Sequence, residues 1–173
     1  TGNGAENGIL IKGGEPLEAA CKINPIVFEK TGTITKGKPE VTNILWANND
    51  DSRANILLGI EKLSEHPLAE AIVRHLAPAA PGSVQRFESI TGFGAKAFAD
   101  DKQYLVGSGK LLLMKNMSID ASLRQNAEEW LRDAKTVIYF AEQTRVLAVV
   151  AIADQLKPTS KQAVQDLKRA GIE

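Results

Sequence analysis

Pro25–Ile26–Val27–Phe28–Glu29–Lys30–Thr31–Gly32–Thr33–Ile34–Thr35–Lys36–Gly37 joins an apolar run to a polar, glycine-containing loop. Ile26 to Phe28 show no polar alternation, the pattern of a strand buried on both faces of a parallel sheet. The loop from Glu29 to Gly37 follows at the strand's C-terminal end, the edge of an open α/β sheet where ligands bind because loops converge there. A carboxylate in that place can attack a γ-phosphoryl group once Mg²⁺ and ammonium charge offset the repulsion. Lys30 and the hydroxyls of Thr31 and Thr33 supply charge and donors, and Gly32 admits a close backbone approach.

Upstream, Gly13–Gly14 interrupt the backbone before a short helical segment from Glu15 to about Lys22. The lone Cys21 lies in it beside Ala19 and Ala20 and reads as a small buried side chain rather than a reactive thiol. Downstream, a second region opens near Pro39–Glu40–Val41. Asp50–Asp51–Ser52 signals a helix with Ile56, Leu57, Ile60 and Leu63 on one face. Pro67 starts another, striped by Leu68, Ile72, Val73 and Leu76. After a proline-rich connector from Ala77 to Gly82, strands are expected over Val84 to Ile90, Ala95 to Ala99 and Gln103 to Val106. Asp100–Asp101 is the expected hairpin turn between the last two. Asp120 is placed to cap a helix bearing Leu123, Ala127, Trp130 and Leu131, and strands follow over Thr136 to Ala141 and Arg145 to Ala153. Pro158 begins a last amphipathic helix with Ala163, Val164, Leu167 and Ala170 inward.

This order predicts an α+β domain inserted into an α/β domain. Residues 1–40 and 150–173 make the α/β part and 41–149 the insertion. So few strands leave the α/β sheet short of partners, so this domain reads as truncated.

Hydrophobic residues make up 43% of the chain and charged residues 24%, the balance of a soluble globular protein. Lys+Arg and Asp+Glu each number 21, and the resulting zero net charge argues against a nucleic-acid partner. The longest apolar run, Val146 to Ala153, is strand-sized and well short of the roughly 18 residues of a membrane span. Thr1 to Asn7 is polar and small, without the basic-then-apolar pattern of a signal peptide.

The segment Glu29–Lys30–Thr31–Gly32–Thr33 resembles the Asp-Lys-Thr-Gly-Thr signature of P-type ATPases, and three further pieces resemble the heavy-metal class of that family. The first is Glu61–Lys62–Leu63–Ser64–Glu65–His66–Pro67, similar to its Ser-Glu-His-Pro motif with a glutamate five residues ahead of the histidine. The second is Gly92–Phe93–Gly94, matching its Gly-x-Gly. Alone this pair more often marks a bulge or turn, and it lacks the third glycine of the dinucleotide fingerprint. The third is Val106–Gly107–Ser108–Gly109, similar to Val-Gly-Asn, with Ser108 in the asparagine's place, so only Gly107 is carried over. Asp154–Gln155–Leu156–Lys157–Pro158 resembles the family's hinge motif, and Gly8 to Glu15 the stretch just inside the membrane.

The resemblance implies a haloacid-dehalogenase-like α/β fold, here partial, with an inserted α+β nucleotide-binding domain of antiparallel sheet flanked by helices. It implies ATP and Mg²⁺ as cofactors and adenine near Glu61, His66, Gly92, Gly94 and Gly107. It makes position 29 the phosphorylated residue, with Lys30 and Thr31 beside it, and Glu29 and the Thr31 carbonyl as Mg²⁺ ligands. The implied setting is a cytoplasmic domain of an integral membrane protein that exports a metal, with copper placed ahead of zinc, cadmium or cobalt. Its partners would be the transmembrane and actuator domains of the same transporter, and a metallochaperone.

Glu29 departs from the family at the phosphorylated position. It extends the carboxylate by one methylene, about 1.5 Å, and a misplacement of about 1 Å can cost roughly 100-fold in rate. Little or no acyl-phosphate is therefore expected. No Gly-Asp-Gly-x-Asn-Asp segment, which the family uses for Mg²⁺, stands in the sequence. Two other readings are a nucleotide-binding module without turnover and a soluble haloacid-dehalogenase-type phosphatase. The latter usually shows Asp-x-Asp, against Thr31 here.

Overall fold

The structure is a computed structural model that describes residues 5, 6, 8–10, 13–20 and 22–173. The expectations for Cys21, and part of those for Thr1 to Asn7 and Gly8 to Glu15, lie outside the described residues. In chain order the elements are α1 (Glu15–Ala20), β1 (Thr35–Trp46), α2 (Ala54–Glu61), α3 (Pro67–Leu76), β2 (Gln85–Ile90), β3 (Gly94–Ala99) and β4 (Lys102–Gly107). They continue as α4 (Gly109–Met114), α5 (Ala121–Arg132), β5 (Thr136–Glu142), β6 (Arg145–Leu156) and α6 (Ser160–Arg169). The chain divides into two compact units, one of Lys38–Gln155 and one of Thr1–Gly37 with Leu156–Glu173.

The larger unit is built on a six-stranded sheet of order β1-β6-β5-β4-β3-β2. From β2 through β6 each sequential pair that neighbours in the sheet is antiparallel. Asp100 and Asp101 turn the β3–β4 hairpin with φ of 47° and 59°, the left-handed pair a tight hairpin needs.

Alternation along the strands sends side chains to two cores. On one face Tyr104, Val106, Phe140 and Val150 pack with Ile56, Leu57 and Ile60 of α2 and Ile72 of α3. Here β3 carries only the small residues Ala95, Ala97 and Ala99. On the other face Leu105, Tyr139, Val149 and Ala151 pack with Leu111 of α4 and with Leu123, Ala127 and Trp130 of α5. Helices thus cover both faces.

Several expectations need correction. Thr35–Trp46 is a long strand where a loop and an undefined region were expected, and α4 was not expected at all. Leu63 lies past the end of α2 and is 51% exposed, and Leu131 on α5 is 52% exposed. Asp120 stands at the N-cap of α5 without a side-chain cap bond. Its carboxylate pairs instead with Arg145 at 2.9 Å.

In the smaller unit Ile26 to Phe28 belong to no named strand, and Val27 is 95% exposed. The Ile26 N–H donates to the Glu173 carbonyl at 2.8 Å and the Glu173 N–H to the Asn24 carbonyl at 2.9 Å. One residue bonded to two partners flanking a common position is the parallel ladder pattern. The apolar run therefore has the pairing of a parallel strand without the burial expected of it. On α6, Val164 and Leu167 are only half-buried and Ala163 and Ala170 are exposed. A segment patterned for two-sided burial needs neighbours on both faces, and among the described residues of this unit these segments lack them. Among the described residues no helix is long and apolar enough to cross a membrane.

Candidate functional site

At one end of the sheet in the larger unit lies a cavity of about 320 Å³. Its wall is made by Glu61 at the end of α2, His66 and Leu68 at the start of α3, and Gly92–Phe93–Gly94 between β2 and β3. Gly107 and Ser108 after β4, and Thr136 to Ile138 of β5, complete it. All five residues expected around adenine, Glu61, His66, Gly92, Gly94 and Gly107, are brought together here.

The glycines have separable physical reasons. Gly94 and Gly107 face each other across β3 and β4. A Cβ on Gly94, whose φ is 150°, would run into the Val106 carbonyl oxygen, and one on Gly107 into the Phe93 carbonyl oxygen. Both are bare because the strands and the 92–94 turn come too close for a side chain, a packing requirement. Ser108 N–H donates to the same Phe93 carbonyl at 2.8 Å and ties the turn to the end of β4. Gly92 differs: it has φ of 76° and open space where a Cβ would stand. There the bare backbone borders the cavity.

Glu61 is 6% exposed, and burial pushes its carboxyl up to about 7. Desolvation is the cause: taking a carboxylate out of water disfavours the charged form. A buried acid facing a cavity is positioned to accept from a ligand amine.

His66 occupies the N-cap of α3, with Pro67 fixed behind it. Its Nδ1 accepts from the Leu68 N–H at 3.2 Å, and the His66 backbone N–H donates to Ser64 Oγ at 3.3 Å. In the neutral ring this places the proton on Nε2. Capping and lining the cavity are therefore one arrangement: the cap holds the ring where it borders the space.

Ser108 is the residue that sequence reasoning set aside. Among the described residues, its Oγ is the one fully buried side-chain polar atom without a hydrogen-bond partner. It sits at the N-cap of α4 yet makes no cap bond. An unpartnered hydroxyl in a cavity wall is available to a polar group that enters the cavity. The sequence signal was only that a serine follows a strand and precedes Gly109, which suits a helix cap equally well.

The second set of expected residues lies in the smaller unit. Glu29 precedes a turn over Lys30–Ile34 in which Gly32 takes φ of 79°. The Glu29 Oε1 accepts from the Thr31 N–H at 3.4 Å, so the longer side chain folds back on its own turn. Thr35, buried beneath, donates from Oγ1 to the Lys30 carbonyl at 3.0 Å and accepts from the Gly32 N–H at 3.2 Å. Glu29, Lys30 and Thr31 themselves are exposed. The donors that Glu29 and Thr31 supply are a carboxylate and a backbone carbonyl, hard oxygens of the kind Mg²⁺ takes. Among the described residues no group of three or more His, Cys, Asp or Glu is clustered as for a metal. An Mg²⁺ here would draw its remaining ligands from water and phosphate oxygens, as that ion commonly does.

Residues 23–173 match the haloacid dehalogenase-like hydrolase family. Over its whole length the chain is 39% identical to a probable copper-importing P-type ATPase A of Enterococcus hirae. It is 41% identical over 99% of its length to a probable copper-exporting P-type ATPase of Archaeoglobus fulgidus, and 39% identical over its whole length to a copper-exporting P-type ATPase of Staphylococcus aureus. The chain spans between a fifth and a quarter of these relatives (24%, 21% and 21% of their length). Among solved structures, a zinc-transporting PIB-type ATPase superposes with a TM-score of 0.73 at 28% identity, covering 95% of this chain and 27% of that one. The catalytic domain of the CPx-ATPase CopB-B, from a study of nucleotide binding, superposes at 0.69 and 25% identity, covering 95% and 56%. The expected fold class, a haloacid-dehalogenase-like unit carrying an inserted antiparallel sheet flanked by helices, agrees with these neighbours. The chain belongs to the haloacid dehalogenase-like hydrolase family, and its homologues are metal-transporting P-type ATPases.

Proposed function

We propose that this chain is the ATP-binding catalytic region of a copper-transporting P-type ATPase, with adenine held in the cavity of the Lys38–Gln155 unit. The observation that carries the reading is the convergence of Glu61, His66, Gly92, Gly94 and Gly107 on one cavity. The Glu61 carboxylate accepts from the exocyclic amine of adenine. The His66 ring packs on or against the base, held by its cap to Leu68. Gly92 gives the nucleotide a bare stretch of backbone, and the free hydroxyl of Ser108 bonds a polar atom of the nucleoside.

In the other unit, position 29 is the phosphoryl acceptor of the family and Lys30 the cation beside it. Glu29 and the Thr31 carbonyl would hold Mg²⁺, which would supply charge neutralisation on the phosphates. With glutamate at 29 the carboxylate is displaced by a methylene and folded onto the Thr31 N–H. This copy therefore binds ATP with little or no phosphorylation. Copper is the proposed cargo and export the proposed direction, in line with the named exporters among the relatives. The region would sit in the cytoplasm beside the transmembrane and actuator domains of the same protein, with a metallochaperone as a further partner.

ATP titration of the chain and of His66→Gln tests the cavity. The substitution is expected to weaken ATP binding by about tenfold, the scale of one lost stacking or charge-assisted contact, without changing the melting temperature by more than a cap's worth. Unchanged affinity would remove His66 from the site.

A further inference from the structure

Lys157 belongs neither to the cavity nor to the residues given roles above. Its ammonium donates to the Gly32 carbonyl at 2.6 Å, its backbone N–H to the Ile34 carbonyl at 2.9 Å. Ser160 Oγ donates to the same Ile34 carbonyl at 2.7 Å. The segment after β6 therefore grips the 30–34 turn at two carbonyls. The grip on Gly32 is charge-assisted and short, the stronger class of hydrogen bond. It falls on the residue that most needs fixing, since Gly32 has φ of 79° and no side chain of its own to lock it. Its N–H is already engaged by Thr35 Oγ1 at 3.2 Å.

A trans peptide points its C=O and N–H in opposite directions. Holding the Gly32 carbonyl on Lys157 thus fixes where the Thr33 N–H points and which way the Thr33 residue leaves the turn. We propose that Lys157 is a positioning residue for the phosphate-receiving turn, locking the Gly32–Thr33 peptide so that Thr33 offers its donors to a phosphate oxygen. This rests on the reading of the turn as a phosphoryl site. Ser160 and the Lys157 backbone anchor the neighbouring Ile34 carbonyl and do not orient that peptide.

The test is a titration of the isotope-labelled chain with inorganic phosphate in magnesium-containing buffer, following the amide signals of Thr31 to Ile34. Adenosine titration of the same samples reports separately on the cavity. Lys157→Met is expected to weaken phosphate binding about tenfold, while Lys157→Arg, which keeps a charged donor, stays within about threefold of the parent. Ser160→Ala is expected to leave phosphate affinity unchanged, and adenosine binding is expected unchanged in every variant. If Lys157→Met loses its dispersed spectrum, Lys157→Gln, which keeps a neutral donor, takes its place with the same expected direction. Parent-like phosphate affinity in these variants, or an equal loss in Ser160→Ala, overturns the inference and leaves the phosphoryl site standing. No response of the turn in the parent chain overturns both.

Discussion

Glu29→Asp in the full-length protein is expected to raise phosphoenzyme formation from ATP by at least about 100-fold, the scale of a 1 Å misplacement in an in-line attack. The label should be acid-stable and released by hydroxylamine, the behaviour of an acyl-phosphate. The expectation follows from the turn's geometry. Thr31, Gly32 and Thr35 bond within the turn, so its backbone is not free to retreat by the length of a methylene. The glutamate side chain instead takes up its extra length by folding back to the Thr31 N–H at 3.4 Å. An aspartate can reach the same N–H with its shorter arm, as Asp50 reaches the Ser52 N–H at 3.0 Å, and would hold its carboxylate a methylene nearer the turn. Equal labelling with either residue would show that the turn accommodates both carboxylates, and the disabled-copy reading would fail.

Glu61→Gln carries the second large effect, with opposite signs for stability and for recognition of pH. In the unliganded chain the folded value, about 7, lies above the ordinary 4.5 because the carboxyl is buried. A group raised in this way contributes most below about pH 4.5, and its contribution is lost as pH rises through about 7. The loss is on the order of 3 kcal/mol across that window. A glutamine cannot ionise, so the variant is expected to be the more stable protein at pH 8 and to lack this part of the slope. Ligand binding runs the other way. If the ionised carboxylate accepts from the adenine amine, ATP affinity should rise about tenfold from pH 6 to pH 8. It should be flat in Glu61→Gln, which keeps an acceptor oxygen. Chemical unfolding from about pH 4.5 to about pH 8 and ATP titration from about pH 6 to about pH 8 read the two quantities. A pH slope of the same size in the glutamine variant would take Glu61 out of the adenine site.

Much of the larger unit was legible because its strands and helices follow simple periods. Strands β4 to β6 alternate between two cores, and the Asp100–Asp101 turn is a pair that tolerates positive φ. The cavity residues were legible only as a set, since a histidine before proline or a Gly-x-Gly is common in isolation. What could not be read has physical reasons. β1 begins with Thr35–Lys36–Gly37–Lys38–Pro39, whose glycine, proline and charges spell a loop. As an edge strand of the sheet it tolerates them. α4 opens on a glycine and leaves Leu113 and Met114 exposed, so its apolar run has no helical stripe. Ile26 to Phe28 carry the pattern of a central strand, and pattern reports the burial a segment is built for rather than the neighbours it has. The roles of Gly94 and Gly107 were also legible only in part. The resemblance put them near adenine, and the structure adds that their missing side chains make room for the Val106 and Phe93 carbonyls. The Ser108 hydroxyl needed coordinates, because an unpartnered atom has no sequence signature.

The central assignment is adenine in the cavity of the Lys38–Gln155 unit, and amide shift mapping during an ATP titration tests it most directly. The prediction is saturable shifts at Glu61, His66, Gly92 to Ala95, and Gly107 and Ser108, reproduced by adenosine alone. Saturable shifts confined to other surfaces, or none at millimolar ATP, would contradict the assignment.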